Sequence, residues 1–314
     1  MGLSSRTILN IIELVYYGPA LLLTFLIIKK HGMGRQSGWI YLAALAVVRI
    51  VGAATGIAAN NDPSQGLIET SDIAYSIGLS PLFLAWLCVI KRVNEGMHIH
   101  SIPPRLINLV HLPIVAGLIV AIFGGLKLFD TNPASVNTGV TYTKIAIMLF
   151  LVSLIALAAI TAFTFMRIRH VMDGEKRLVF ACLAVIPFLL VRIIYSIIVD
   201  FDRSSTIFSF LSTRTAAVVV QAVMSVAMEF IAVSIFLTAG FMTPAIPRSM
   251  VQSQQDETTM QPKQRYGWRT SRDNSGSSAH PLRAAQPSFV GYKGGQEDGV
   301  TAAYPNLNRP QYSA

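Results

Sequence analysis

Long apolar runs alternate with short polar segments along most of this chain. Seven of these runs reach about 20 residues, the length a helix needs to cross a hydrocarbon layer roughly 30 Å thick. They occupy residues 7–28, 38–60, 71–90, 105–129, 143–166, 177–200 and 212–240. A backbone in hydrocarbon must satisfy its own hydrogen bonds, which helices do. The pattern therefore predicts an all-α fold, a polytopic membrane helix bundle with seven transmembrane helices.

The pattern changes after the seventh run. Beyond Gly240 the chain is rich in Ser, Gln, Gly, Pro and Thr with scattered charges, a composition that buries too little apolar surface to fold. We therefore divide the chain into a transmembrane domain at residues 1–242 and a disordered cytosolic tail at residues 243–314. The tail is available for phosphorylation or for a cytosolic partner.

Composition supports a membrane location over a soluble one. The chain is 53% hydrophobic and 13% charged, with a mean hydropathy of +0.53, whereas soluble domains carry about 25% charged residues. The net charge of +9 lies mainly at span ends and in the tail, so it predicts topology and no nucleic-acid partner. The expected location is a membrane, crossed several times, with the lipid bilayer as the main partner.

Lysines and arginines predict the orientation of the bundle, because cytosolic loops carry an excess of them. The loops after the first, third and fifth spans hold ten of these residues, and the opposite side holds at most five. This places the N-terminus outside the cytosol and the tail inside it. The ten are Lys29, Lys30, Arg35, Lys91, Arg92, Arg105, Arg167, Arg169, Lys176 and Arg177.

Small residues and prolines are expected to shape the bundle. Gly52 and Gly56 stand four residues apart in the second span, a spacing that favours close contact with a neighbouring helix of the same chain. An internal proline removes a backbone hydrogen bond and should kink its helix. Such prolines occur in four predicted spans, at Pro19, Pro81, Pro113 and Pro187.

Ionisable residues inside the spans are the strongest candidates for a site, because a charge in hydrocarbon costs several kcal/mol unless it finds a partner or water. The candidates are Glu13, Arg49, Asp72, Arg192 and Glu229. From the helical depth of each residue, we predict that Glu229 pairs first with Arg49 and second with Arg192. Glu13 and Asp72 are expected to face the outer half of a polar cavity.

Polar side chains at helical spacing extend these candidates. Arg214, Gln221, Ser225 and Glu229 share one face of the seventh span, which should point inward. Tyr195 lies beside Arg192 on the sixth span, and Tyr17 shares a face of the first span with Glu13. The predicted intramembrane cavity or ligand site therefore comprises Glu13, Arg49, Asp72, Arg192, Tyr195, Gln221, Ser225 and Glu229.

Three functional interpretations fit this pattern. The leading one is a receptor-like or sensor-like protein whose outward-opening cavity, bounded by Glu13, Asp72, Arg192 and Arg214, takes a small molecule or lipid. The alternative is a transporter or lipid-handling protein in which the Arg49 and Glu229 region changes partners as access alternates. The third is that the buried ion pairs serve packing only.

An enzymatic role is not expected. His111 is the one histidine inside a predicted span, and no second histidine or cysteine stands near it at metal-ligand spacing. Gly78, Leu79, Ser80 and Pro81 superficially suggest a serine nucleophile, but the chain offers no convincing histidine base. We predict no catalytic residue, no metal and no cofactor.

Four segments carry a family resemblance. They are YYGPALLLTF in the first span, GLSPLFLAWLCVIKR from Gly78 to Arg92, LLVRIIYSII from Leu189 to Ile198, and MEFIAVSIFLTAG from Met228 to Gly240. Together they resemble a family of fungal seven-helix integral membrane proteins that is known only as a domain of unknown function. The resemblance covers roughly residues 5 to 242 and implies a seven-span fold and a fungal source. It implies no substrate and no catalytic residue.

Overall fold

Seven helical spans, long and apolar enough to cross a membrane, make up the described part of the protein. The computed structural model describes residues 4–31, 38–62, 64–97, 102–172, 174–202 and 215–243, all within one compact unit. These residues contain helices and no strand. The predicted disordered tail lies, apart from Thr243, outside the described residues, as do Arg35 and Arg214.

Four spans are single α-helices that follow the predicted order, and a fifth carries a short extension. They are α1 (Ser5–His31), α2 (Trp39–Asn61), α5 (Pro104–Leu128), α6 (Pro133–Met166, followed by a 3₁₀ turn at Ile168–His170) and α7 (Lys176–Phe201). The third span consists of α3 (Gln65–Ile77) and α4 (Leu79–Glu95). The seventh consists of α8 (Thr215–Gln221), a π-helical segment (Ala222–Ala227) and α9 (Met228–Met242).

Contacts between span ends define two ends of the bundle. At the N-terminal end, the Ser5 and Thr215 hydroxyls lie 3.3 Å apart, and the Gln65 amide donates to the Phe129 carbonyl at 3.0 Å. At the opposite end, the Lys30 ammonium donates to the Phe241 carbonyl at 2.6 Å. The first and seventh spans therefore run in the same direction, and the third and fourth run in opposite directions.

The outer surface of the bundle is strongly apolar. Val15 and Leu22 of α1 are both 67% exposed, and Leu112 of α5 is 70% exposed. Soluble proteins rarely expose apolar surface this extensively, whereas hydrocarbon accommodates it. Buried polar and charged side chains lie inside the bundle instead, among them Arg49, Arg192 and Glu229.

The α-helix of the third span is interrupted close to Pro81. Pro81 has no N–H to donate to the Ile77 carbonyl, the usual acceptor four residues earlier. The Ser80 hydroxyl donates to that carbonyl at 3.0 Å instead, which satisfies it inside the bundle. The α-helix is interrupted at Gly78. Sequence analysis predicted one continuous span at 71–90, and the structure begins it earlier, at Gln65.

The fifth span begins ten residues before the predicted position of 143. Pro133 occupies the first turn of α6, and the Asn132 side chain accepts a hydrogen bond from the Ala134 backbone N–H at 3.0 Å. A side-chain cap and a proline in the first turn both favour a helix start. The added turns are polar, and for that reason the hydrophobic pattern did not reveal them.

Two glycines allow α2 to approach its neighbours closely. A Cβ atom on Gly52 would lie 2.9 Å from the Ala74 Cβ of α3, and one on Gly56 would lie 2.8 Å from the Ser71 hydroxyl. The Ser71 hydroxyl also donates to the Gly52 carbonyl at 3.0 Å. The expected intramolecular contact at this glycine pair is therefore confirmed.

Candidate functional site

One carboxylate, Glu229 on α9, binds side chains of three other helices. Its Oε1 accepts hydrogen bonds from Arg49 Nε at 2.6 Å and from the Tyr17 hydroxyl, and its Oε2 accepts one from Arg49 Nη2 at 2.5 Å. Arg192 Nη2 forms an ion pair with Oε2 at 2.9 Å. Glu229 is 1% exposed, and each oxygen of this buried carboxylate has a hydrogen-bond donor. The predicted pairing of Glu229 with both arginines is confirmed.

Arg49 on α2 is held between Glu229 and the third span. Its guanidinium lies over the Tyr75 ring, with Cζ 4.4 Å from the ring centroid. On another side it meets Gly78, where a Cβ atom would lie 2.8 Å from Arg49 Cζ. A planar guanidinium stacks well on an aromatic face. The absence of a side chain at Gly78 therefore leaves the space in which Arg49 lies.

Arg192 on α7 connects Glu229 with the π-helical segment of the seventh span. Its Nη1 donates to the Ser225 carbonyl at 3.2 Å and to the Ser225 hydroxyl. The Tyr75 hydroxyl donates to the same Ser225 hydroxyl oxygen at 3.2 Å. Segments of π-helix are uncommon and occur frequently at functional sites. Here the segment places Ser225 against Arg192, four residues before Glu229.

Glu13 on α1 adds a second acidic side chain to this group. It is 2% exposed and interacts electrostatically with Arg49 and Glu229. Its Oε1 is buried and has no hydrogen-bond partner among the described residues, and the same holds for Arg49 Nη1. We refer to Glu13, Arg49, Arg192 and Glu229 as the charge cluster.

A cavity of about 420 Å³ lies beside the charge cluster and is lined by the third to the seventh spans. Helices α5 and α6 contribute a largely apolar wall that includes Ala121, Leu128, Ala146 and Phe150. The polar lining comes mainly from α3, α7 and the π-helical segment, with one threonine from α6. It comprises Asp72, Tyr75, Ser76, Thr143, Arg192, Tyr195, Ser196, Asp200 and Ser225.

The cavity extends from the N-terminal end of the bundle into its interior. Asp200 lies near the end of α7, and Arg192 lies eight residues deeper, about 12 Å at 1.5 Å per residue. Near the N-terminal end, Asp72 forms an ion pair with Arg6, with 3.5 Å between Oδ1 and Nη2. The deep part of the cavity therefore reaches Arg192 and Ser225. Arg192 also contacts Glu229, and Ser225 also contacts Tyr75.

The predicted site residues separate into two groups. Asp72, Arg192, Tyr195 and Ser225 line the cavity, whereas Glu13, Arg49, Gln221 and Glu229 do not. Glu13 was expected to face the cavity, but α1 packs on α2 and the seventh span and contributes no lining residue. All four residues of the second group are buried. Arg214, also expected at the cavity, lies outside the described residues.

A second buried ion pair lies at the opposite end of the bundle. Arg92 Nε donates to Glu175 Oε1 at 3.2 Å, and both side chains are at most 10% exposed. Nearby, the Asn94 side chain donates to the Ile102 carbonyl at 2.9 Å and accepts from its N–H at 2.6 Å. The ion pair joins the end of the third span to the start of the sixth, and the Asn94 contacts hold Ile102, just before the fourth span, against the end of the third. Within the described ranges, no group of three His, Cys, Asp or Glu side chains could hold a metal ion.

Comparison with known proteins assigns the chain to a family. A model described as a domain of unknown function, DUF7702, matches residues 3–245. The chain belongs to the DUF7702 family. No curated protein and no solved structure matches it.

The matched segment of the DUF7702 protein contains every span and the whole candidate site. Together, the family match and the seven apolar helices indicate an integral membrane protein that crosses the bilayer several times. Receptor and transporter activities are both compatible with this assignment, because a fold does not fix a function.

Three residues of the DUF7702 site were not among the predicted site residues. Tyr17 was recognised only as part of a polar face, and Tyr75 and Gly78 were not connected with Arg49. Tyr75 stands three residues after Asp72, so helical spacing places both on one face. No comparable signal connects Gly78 with Arg49, because their contact depends on how α2 packs against the third span.

Proposed function

We propose that this protein is a receptor-like membrane sensor that binds a small molecule in the cavity. The proposal rests on the positions of Arg192 and Ser225. Both residues line the cavity, and both also take part in contacts that join the seventh span to neighbouring helices. Arg192 binds Glu229 at 2.9 Å, and Ser225 accepts from Tyr75 at 3.2 Å. A molecule that contacts Arg192 would therefore change the interactions of Glu229.

The seventh span offers a route from the cavity to the opposite end of the bundle. There, Lys30 of α1 donates to the Phe241 and Thr243 carbonyls at 2.6 and 3.2 Å. Arg177 of α7 donates to the Met242 carbonyl at 3.0 Å. Cations at a helix C-terminus stabilise it, so a shift of α9 would alter contacts with two other spans.

The proposal includes an orientation and a signalling partner. The excess of lysine and arginine in the loops at the opposite end supports an N-terminus outside the cytosol. In this orientation the cavity opens outward and the C-terminal tail is cytosolic, where it is available for a partner or for phosphorylation. The proposed role is binding and signalling, without catalysis.

A transporter or lipid-handling protein is the second candidate, and one observation favours it. Glu13 Oε1 and Arg49 Nη1 are both buried without a hydrogen-bond partner among the described residues. Arg49 could therefore exchange Glu229 for Glu13 as access to the cavity alternates. Intramembrane charges that pair with one another often mark ion and substrate pathways in transporters.

Retention of small molecules by reconstituted protein distinguishes the two candidates. Proteoliposomes are incubated with a small-molecule extract of the host cell and washed, and the retained compounds are quantified by mass spectrometry. Empty liposomes and an Ala146→Phe variant serve as controls, since Ala146 lines the cavity and is 3% exposed.

A sensor retains at most about one molecule per protein, and the Ala146→Phe variant retains none. A transporter accumulates many molecules per protein in the vesicle lumen. If the wild type retains nothing beyond the empty liposomes, both candidates fail, and the charge cluster serves packing.

A further inference from the structure

We infer that the cavity binds an uncharged amphipathic molecule, with a polar group between Arg192 and Asp72 and an apolar body against α5 and α6. This inference rests on the proposed binding function and names the chemical class of the ligand. It depends on the size of the cavity, its apolar wall, two unpartnered polar atoms and the distribution of charge.

The volume of the cavity limits the size of the ligand. Ligand pockets generally measure about 300–1,000 Å³, and this cavity of about 420 Å³ lies near the lower limit. A compact organic molecule fits, whereas a complete phospholipid does not.

The wall formed by α5 and α6 requires an apolar body. Ala121 and Leu128 of α5 face the cavity from one helix, and Ala146 and Phe150 of α6 face it from the next. Water in contact with such a wall gains few hydrogen bonds. A hydrocarbon body that displaces it gains about 25 cal/mol for each Å² of apolar surface removed from water.

Two buried atoms on the polar side have no hydrogen-bond partner among the described residues. They are Nε of Arg192, a donor, and Oδ2 of Asp72, an acceptor. Arg192 is 2% exposed, and the Asp72 side chain is 12% exposed. An unpartnered buried polar group is costly. Both atoms are covered by their neighbours, so a small movement of each side chain would let a ligand oxygen accept from Arg192 and a ligand hydroxyl donate to Asp72.

The charges around the cavity favour a ligand without a net charge. Asp72 already pairs with Arg6 and Arg192 with Glu229, so an anionic ligand would find no unpaired cation at Arg192 and would also lie near the carboxylates of Asp72 and Asp200. A cationic ligand would meet the Arg192 guanidinium, which already binds Glu229. A buried charge without a partner costs far more than a buried hydroxyl with one. Hydroxyl and carbonyl groups therefore suit the polar side best.

Protection of a cysteine in the cavity tests the inference. Ser196 lines the cavity, so Ser196→Cys is introduced into a chain in which Cys88 and Cys182 are replaced by alanine. The rate of modification by methyl methanethiosulfonate is measured in nanodiscs by intact mass. Three probes share one hydrocarbon skeleton: adamantylmethanol, adamantane carboxylate and adamantylmethylamine. Ser76→Cys provides a second cavity reporter from α3 should the first variant fold poorly.

The alcohol is expected to slow modification at Ser196→Cys about fivefold when present at about four times its Kd. The acid and the amine at the same concentration are expected to slow it less than about twofold. Thr70→Cys, on an exposed face of α3 outside the cavity, is the matched control and should react at one rate with every probe.

Each outcome decides the inference. If the acid or the amine protects more strongly than the alcohol, the inference that the ligand is uncharged is overturned. The cavity would still be a binding site, so the proposed function would stand. If no probe protects, or if Thr70→Cys is protected equally, the inference is overturned. The proposed function is judged separately, because it fails only when the proteoliposomes retain no molecule from the extract.

Discussion

Gly78 and Arg49 are in such close contact that a methyl group on the glycine would lie 2.8 Å from Arg49 Cζ and 3.1 Å from Nε. Gly78 belongs to the third span and Arg49 to the second, so the contact fixes how these spans pack around the charge cluster. The glycine stands where the α-helix of the third span is interrupted, three residues before Pro81.

Replacing Gly78 by alanine should therefore destabilise the protein. The added methyl group must displace a guanidinium that binds Glu229 through two hydrogen bonds, and overpacking of this kind costs about 1–3 kcal/mol. Gly66→Ala is the matched control in the same span, since a Cβ atom there meets nothing within 4 Å. Thermal unfolding in detergent should show a lower midpoint for Gly78→Ala only. Equal midpoints for the two variants would contradict the contact.

Replacing Glu229 by glutamine should be the most destabilising single change in the charge cluster. It removes one negative charge and leaves Arg49 and Arg192 buried without it, a loss of about 3–5 kcal/mol when a buried pair is broken. The expected result is a large fall in the folded fraction, measured by fluorescence-detected size exclusion. Glu69→Gln, a matched change away from the cluster on α3, should have little effect.

A double-mutant cycle tests whether this loss comes from the ion pair. Arg49→Met in the Glu229→Gln background should cost less than Arg49→Met in the wild type, because its partner is already absent. Additive losses would show that Arg49 and Glu229 are not coupled, contrary to the hydrogen bonds between them.

The hydrogen bond from the Ser80 hydroxyl to the Ile77 carbonyl allows a further prediction. Ser80→Ala should destabilise the protein by about 1 kcal/mol or more, because it leaves the Ile77 carbonyl without the hydroxyl that satisfies it. In a Pro81→Ala background the same change should cost little, since the substituted residue carries the backbone N–H that Pro81 lacks. The four unfolding midpoints form the test. A cost for Ser80→Ala that does not depend on the residue at position 81 would reject this explanation.

The sequence was sufficient to predict the spans and the principal ion pairs. Seven apolar runs correspond to the seven helical spans, because span length is set by bilayer thickness and is visible in composition. Glu229 was correctly paired with Arg49 and Arg192 because few charges occur inside the spans and helical rise gives their depth.

The location of the cavity could not be predicted in the same way. Glu13 lies at a suitable depth, but the cavity is formed on the side of the third span that faces α5 and α6. The choice of neighbouring helices depends on how small residues pack between helices, as Gly52 does against Ala74. The hydrophobic periodicity of one helix does not reveal which helix it will pack against. The π-helical segment likewise has no hydrophobic pattern of its own.

The central functional claim is that filling the cavity changes the opposite end of the seventh span. Spin labels at Met242→Cys and Leu106→Cys, both exposed near that end, report the separation of α9 and α5 by double electron–electron resonance. The cavity is filled by Ala146→Phe. Ala54→Phe, on an exposed position of α2 outside the cavity, is the matched control.

We expect the Ala146→Phe variant to shift the distance between the labels by about 1–2 Å or more, the size of helix shifts that accompany switching. The Ala54→Phe variant should leave the distance unchanged. Identical distance distributions in the wild type and both variants would contradict the claim that the cavity communicates with the opposite end of the bundle.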